Sequence, residues 1–509
     1  MSFISLTFII FVAISLVIYY FVVPKKYQWY FLLLISYVFY VFAGWKLVFY
    51  LLFTTCSVFL CGLWISKTQK ENRRKSIAVL AVGGNFSLLV LLKWINPIVG
   101  IGNKVFQLIG VPAFDVSKYS ILLPLGISFY TFQAVGYLID VYRNKIKPER
   151  NVLRFALFVS FFPQLIQGPI SRHDELADQL YEPRDFSYEE MRRGFQLAMW
   201  GLFKKLVIAD RLVNVTDLIF SDFDTYKGLY ILIGAAVGVI SVYADFSGGV
   251  DMARGVAQMF GINMPQNFER PFFATSLGEY WRRWHITLNN WWRDYLFYSL
   301  VLSKPISAVS RFTRKYISPQ LGKVIGVYIS INIVRTVNAM WHGAGVVRII
   351  NGLMMGMMMI IGLACAPVFK WITRSLKINT ETFSWKLFQV LRTFFLICIN
   401  RIVLKAENMH QWYELMKSLI KDFNPWILNY QTLYSIGLSE RDVYIVIVSL
   451  LILLIVGILQ EKGIPLRKTI ERQNIGFQWA MLLTGILAII LWGCYGSRYD
   501  PATFVYQGF

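Results

Sequence analysis

Four histidines occur in the 509 residues, and two of them stand where an imidazole could act on a substrate. His342 follows a segment, Val324 to Met340, that is apolar except for Asn332, Arg335 and Asn338. At about 100° per residue, Arg335, Asn338 and His342 fall within about 60° of one another, with Asn332 at the edge, so the segment predicts a helix with a polar stripe. Placing Arg at membrane depth costs about 2.5–3.5 kcal/mol on insertion scales; such a stripe marks a cavity or substrate path, or else an interhelical network. Gly343, Ala344 and Gly345 come next and let a backbone or substrate approach closely. For His285, Ser276 and Glu279 form a capping-box signature, and Trp281, Trp284, His285, Leu288, Trp292, Tyr295 and Leu296 follow at i, i+3, i+4 and i+7. That spacing predicts one basic, Trp-rich amphipathic helix with Arg282, Arg283, Asn290, Arg293 and Asp294 on its other face. Its imidazole reads either as a hydrogen-bonded core histidine or as a functional group. His173, in Arg172-His173-Asp174-Glu175, and His410 read as solvated, and neither has metal-ligand neighbours. Cys56, Cys61, Cys365, Cys398 and Cys494 show no paired spacing, so neither a metal site nor a disulfide framework is indicated.

The elements that carry these residues follow from composition. Hydrophobic residues make up 56% and charged residues 16%, against about 25% charged in soluble domains, and mean hydropathy is +0.51. Disorder, coiled coil and collagen are excluded. The expected class is an all-α polytopic membrane protein of about 11–13 transmembrane helices, a single domain over 1–509. Apolar runs at 3–23, 29–45, 47–65, 76–92, 119–142, 195–220, 229–244, 323–347, 349–369, 387–405, 443–460 and 476–495 supply the spans. The first lacks a basic leader and a cleavage site, so it reads as a retained span. Basic loops at 24–26, 67–75, 143–154, 311–323, 370–377 and 461–472 all take the cytoplasmic side if both termini lie outside. This absorbs most of the net charge of +22, and clusters so separated make no nucleic-acid surface. Residues 153–194 and 262–310 carry prolines and charges that cannot span, which predicts re-entrant or interfacial helices around a pocket. No internal repeat is visible, which argues against a transporter of the inverted-repeat kind, and a non-catalytic scaffold would need neither histidine.

Several motifs then occur in a fixed order. They are Tyr243-Ala244-Asp245-Phe246-Ser247-Gly248, Asp251-Met252-Ala253, Asn267-Phe268-Glu269-Arg270-Pro271-Phe272, Trp281-Arg282-Arg283-Trp284-His285, Arg293-Asp294-Tyr295 and Trp341-His342-Gly343-Ala344. Phe161-Phe162-Pro163-Gln164 with Gly168-Pro169-Ile170 precedes them. The set resembles the membrane-bound O-acyltransferases, in the bacterial branch of alginate O-acetyltransferase and teichoic-acid D-alanyltransferase. The motif-bearing core covers about 120–350.

The resemblance implies a ring of helices around a central tunnel, with His342 and His285 as the catalytic pair. His342 would be the base, and His285 or Asn338 would donate to the developing oxyanion. Asn338, Arg335, Trp341, Trp284 and Asp245 would line the tunnel. It implies acyl transfer, acetyl foremost, from an acyl-CoA or acyl carrier protein thioester on the cytoplasmic side, with no bound cofactor or metal. The acceptor would be an extracellular polysaccharide or cell-wall polymer, reached directly or through a secreted or anchored acyltransferase partner, at the bacterial cytoplasmic membrane. D-alanyl transfer to teichoic acid, or a non-enzymatic polymer transporter or scaffold, are the alternatives. The last helix and tail, 476–509, end in Phe504-Val505-Tyr506-Gln507-Gly508-Phe509, similar to the branch's terminal aromatic peptide, so Tyr506 is either an acyl relay or an interfacial anchor. Gly345-Val346-Val347-Arg348 and Phe297-Tyr298-Ser299-Leu300 depart from the branch pattern.

Overall fold

The computed structural model describes residues 4–108 and 126–495 and is built from helices; its only extended pairing among the described residues is an isolated antiparallel bridge between Phe268 and Trp284. Eight helices are long and apolar enough to cross a membrane: α1 (Trp45–Lys67), α2 (Glu71–Ile95), α3 (Leu229–Met259), α4 (Pro319–Trp341), α5 (Val346–Ala364), α6 (Phe383–Lys405), α7 (Glu440–Glu461) and α8 (Ile475–Trp492). They correspond to eight of the twelve expected runs. The other four have no such helix among the described residues. Leu6–Val22 is 17 residues and Gln28–Val41 is 14, fewer than the about 20 that a hydrocarbon core of about 30 Å takes, and the run at 119–142 lies partly outside the described residues, which hold Ile127–Tyr142 of it. The run at 195–220 divides into Tyr188–Leu202, a π-helical stretch Phe203–Ala209 and Asp210–Ser221. Lys204 and Lys205 are buried within it.

Local chemistry sets the helix starts. Ser318, Thr382, Ser439 and Asn474 each accept a backbone N–H of the first turn of α4, α6, α7 and α8, and Pro319 occupies the first turn of α4, where its missing N–H costs nothing. Exposed Leu, Ile, Phe, Trp and Met side chains run along the outer faces, as at Leu483, Leu487, Ile490 and Leu491 of α8. In a membrane these faces meet lipid, and the helices satisfy their own backbone groups.

The chain forms two compact units. One holds the residues up to Leu202 with Gly248–Gln266; the other holds Phe203–Ser247 with Asn267–Cys494. In the first, the expected re-entrant segment is two short helices, Val152–Ser160 and Phe162–Gln167, with Asn151 capping the former and Phe155, Phe158, Phe161 and Phe162 fully buried. Gln164 Nε2 donates to Gln133 Oε1 at 2.6 Å, and Gln133 Nε2 donates to the Phe158 carbonyl at 2.8 Å, which ties both short helices to helix Ile127–Tyr142. His173 belongs to the same pack. Its ring lies 5.0 Å from Tyr137 and 4.8 Å from Phe158, and burial lowers its pKa, which corrects the expectation of a solvated histidine. His410 is exposed.

Helix Tyr188–Leu202 crosses the later half of α3 at glycines. A Cβ on Gly194 would lie 2.5 Å from the Gly255 carbonyl oxygen, and one on Gly255 would lie 2.5 Å from the Gly194 carbonyl oxygen. Gly194→Ala should therefore force the helices apart and cost about 1–3 kcal/mol, whereas Gly84→Ala, with nothing within 4 Å, should leave stability unchanged or raised. Thermal melting of the two variants in detergent checks this, and an unchanged midpoint for Gly194→Ala would contradict the crossing.

Candidate active site

All of the following lies in the second unit. The predicted continuous helix over 276–296 is broken at its centre. Leu277–Arg283 ends at Trp284, which is extended, and His285 adopts a left-handed conformation at φ 47° before a new helix, Ile286–Trp291, begins. A non-Gly residue in that region is strained and persists only where its surroundings over-determine it. Here the surroundings are the segment Asn267-Phe268-Glu269. The Glu269 N–H donates to the Arg283 carbonyl at 2.8 Å and the Ile286 N–H to the Asn267 carbonyl at 2.9 Å, so pairing with a distant segment replaces two helical hydrogen bonds. The Ser276 cap holds, while Glu279 reaches Thr275 at 2.9 Å to its N–H and 2.7 Å to its hydroxyl.

Asn267, fully buried, also fixes the imidazole. Its Oδ1 accepts the Thr287 N–H at 3.1 Å and the Thr287 hydroxyl at 2.9 Å, and it stands 3.3 Å from His285 Nδ1. Because a backbone N–H can only donate, the atom facing it is oxygen, and His285 Nδ1 must carry its proton toward that oxygen. The lone pair is then on Nε2. His285 is 2% exposed, against Phe246 at 4.7 Å, and burial pushes its pKa down to about 3, so the ring is neutral. The expectation that it donates to an oxyanion is not favoured by this tautomer. Aromatic neighbours close the wall: Phe268 is 4.9 Å from Phe246, and Trp284 packs on Phe268 at 5.1 Å and stacks on Tyr280 at 5.4 Å.

His342 sits at the C-terminal end of α4, its N–H reaching the Ala339 carbonyl at 3.2 Å, and is half-buried where His285 is sealed. Trp341 joins the two. Its indole is 6.5 Å from the His285 ring and 4.3 Å from the His342 ring. The polar stripe of α4 ties that helix to the His285 loop. Asn338 Oδ1 accepts the Trp292 indole N–H at 2.9 Å. Arg335 donates to Asn289 Oδ1 at 2.9 Å and lies over the Trp281 ring at 4.5 Å, while the Asn289 amide donates to the carbonyls of Trp284 at 2.7 Å and His285 at 3.2 Å.

Of the expected site residues, His285, His342, Trp284, Trp341, Asn338 and Arg335 are thus linked in one network. Asp245 is held elsewhere: it accepts from Lys205 at 2.6 Å, and Lys205 also pairs with Asp210 at 2.8 Å, all three buried. It supports the site through the adjacent Phe246. Tyr506 lies outside the described residues. Asn267, Thr287 and Asn289 are site residues that sequence reasoning does not single out; only the place of Asn267 at the head of its motif points to it. Among the described residues no group of three or more His, Cys, Asp or Glu is arranged to hold a metal.

Burial of a neutral His285 has a pH consequence. Its folded pKa is below the ordinary 6.5, so the unfolded chain binds the proton more readily and stability should fall as pH drops from about 6.5 toward 3, by up to about 1.4 kcal/mol per unit. Melting curves of wild type and His285→Gln across that range should converge at low pH; parallel curves would contradict it.

Comparison with known proteins accords with this geometry. The pattern of the membrane-bound O-acyltransferase family matches residues 146–406. A protein of Azotobacter vinelandii named a probable alginate O-acetylase is 31% identical over 88% of this chain and 83% of its own length. The peptidoglycan O-acetyltransferase of Helicobacter pylori is 29% identical over 75% of this chain and 72% of its own. A teichoic acid D-alanyltransferase of Streptococcus thermophilus is 28% identical over 52% and 60%. With these matches and a multi-pass helical architecture, the chain is a membrane-embedded acyltransferase and belongs to the membrane-bound O-acyltransferase family.

Proposed function

We propose that the protein transfers an acyl group, acetyl foremost, from a cytoplasmic thioester to hydroxyls of an extracellular polysaccharide or cell-wall polymer, with His342 as general base. The observation that carries this reading is that one indole touches both a reachable imidazole and a sealed, neutral one. A hydroxyl is a weak nucleophile at its ordinary pKa. As its oxygen bonds to the thioester carbonyl carbon, its proton passes to the His342 imidazole. The tetrahedral intermediate then expels the thiolate, and the imidazolium returns the proton to sulfur, so the base is regenerated and a thiol leaves. A base of this kind contributes about 10²–10⁴-fold. The remaining acceleration comes from positioning and from donors aimed at the oxyanion. Asn338 is suited to donate there, because its oxygen is occupied by Trp292 and its amide N–H groups are left as donors. His285, sealed against Phe246, acts by positioning the Trp341 indole that packs on His342.

Acetyl is favoured over D-alanyl because the relatives named for acetyl transfer are 29–31% identical over 75–93% of the chain, against 22–28% over 52–70% for the teichoic acid D-alanyltransferases of Streptococcus thermophilus and Bacillus subtilis. The basic loops support a bacterial cytoplasmic membrane with both termini outside, which sets acyl-CoA or an acyl carrier protein on the inner side. Outside, the acceptor is the polymer itself or a secreted or anchored acyltransferase partner. On that side Tyr506 serves as an acyl relay, its phenol taking the group before the polymer does.

Purified His342→Ala should remain in the membrane fraction and lose at least about 10²-fold in acyl release from a labelled thioester; acylation at the wild-type rate would contradict the role. Tyr506→Phe should still consume thioester but fail to acylate polymer. Wild-type polymer acylation would leave the tail as an anchor.

A further inference from the structure

Between Asp294 and Glu381 the chain carries no acidic residue, yet it holds ten lysines and arginines. Two short helices collect six of them. Helix Lys304–Tyr316, which precedes α4, carries Lys304, Arg311, Arg314 and Lys315, and helix Ala366–Ser375, which follows α5, carries Lys370 and Arg374. All six are exposed, and none is paired with a carboxylate among the described residues.

Helix Lys304–Tyr316 divides into three faces. At about 100° per residue, Lys304, Arg311 and Lys315 fall within about 40° of one another, and Val309, Phe312 and Tyr316 make a second stripe about 60° wide. The third face packs on α4, where a Cβ on Gly322 would be 2.5 Å from the Arg314 Cα and one on Gly326 would be 3.0 Å from the Ile306 Cγ2. Val309, Phe312 and Tyr316 are left exposed, with the Lys315 ammonium 4.9 Å from the centre of the Tyr316 ring. In helix Ala366–Ser375, Lys370 and Arg374 stand one turn apart, and Val368, Phe369 and Trp371 are exposed on the rest of its circumference.

Packing of α4 on α5 brings the two helices to one level. A Cβ on Gly352 would be 2.5 Å from the Thr336 Cα, and one on Gly356 would be 3.0 Å from the Asn332 Cα. Four residues forward on α5 match four residues back on α4, so the last turn of α5 is level with the first turns of α4. Both basic helices therefore stand at the same end of the pair, and His342 is at the other. A soluble polyanion would match the six charges and leave the apolar stripes in water. The stripes continue from spanning helices whose outer faces meet lipid, so a bilayer surface matches both: rings enter the acyl boundary while cations meet phosphates.

We propose that these two helices form a headgroup site for anionic phospholipid, which fastens the end of the α4–α5 pair remote from His342 to one leaflet. The site does not depend on which group the enzyme transfers.

The test uses the full-length protein in detergent, with thermal melting followed as phosphatidylglycerol, phosphatidylcholine of the same chains, or polyglutamate is added. Phosphatidylglycerol should raise the midpoint saturably at concentrations where the other two do not, and 0.5 M salt should weaken the effect. Joint replacement of Arg311, Arg314 and Lys315 by Gln should lower the apparent affinity for phosphatidylglycerol at least about tenfold, as should replacement of Lys304, Lys370 and Arg374. Replacement of the same residues by Lys or Arg in exchange should retain it. Gln at Lys67, Lys70 and Arg73, three exposed cations elsewhere, should leave the affinity unchanged. Equal responses to the two lipids, or equal losses from the control triple, would overturn the site. A rise with polyglutamate as large as that with phosphatidylglycerol would point to an acidic protein partner and overturn the lipid assignment.

Discussion

The active region depends on one buried carboxamide. Asn267 accepts from both donors of Thr287 and from His285 Nδ1, and its backbone carbonyl takes the N–H that begins the next helix. Those bonds compensate a left-handed histidine and select one tautomer of its ring. Without them, the spacing of Trp281, Trp284, His285 and Leu288 favours an unbroken helix, and the imidazole would lie on an amphipathic face instead of against Phe246 and Trp341. The strain at His285 is thus stored where a particular ring orientation is required.

A second constraint is the cost of charge inside an apolar bundle. The buried Lys205 is matched by Asp210 and Asp245, so that centre is internally neutralised and reads as scaffold. Arg335 is treated differently, with hydrogen bonding to Asn289 and a Trp281 face but no carboxylate among the described residues. The difference separates a charge neutralised by carboxylates from one held by an amide oxygen and an indole face. The aromatic wall works in the same direction, since Phe246, Phe268, Trp284 and Trp341 exclude water from His285 while His342 keeps partial access.

Much of this is legible in the order of residues. The apolar runs, the polar stripe of α4 and the two histidines follow from period and composition, and the resemblance to a known family supplies the roles. The break at His285 is not legible because helical spacing continues straight through it; the competing partner lies 16 to 18 residues earlier, and its pairing is a tertiary choice. Lys204 and Lys205 are absorbed into an apparent span for the same reason, since the match to Asp245 comes from 40 residues away. His173 reads as solvated from its charged neighbours, yet its ring packs on Tyr137 and Phe158, which sequence distance conceals.

The division of labour between the two imidazoles is the central claim, and carbethoxylation by diethyl pyrocarbonate tests it most directly, because the reagent modifies neutral imidazoles that it can reach. Full-length protein would be treated in detergent, with each histidine followed by mass spectrometry alongside residual acyl transfer. Modification of His342 in step with loss of transfer, while His285 stays unmodified, is the predicted result. Full modification of His342 with transfer intact, or loss of transfer that follows His285 instead, would contradict it.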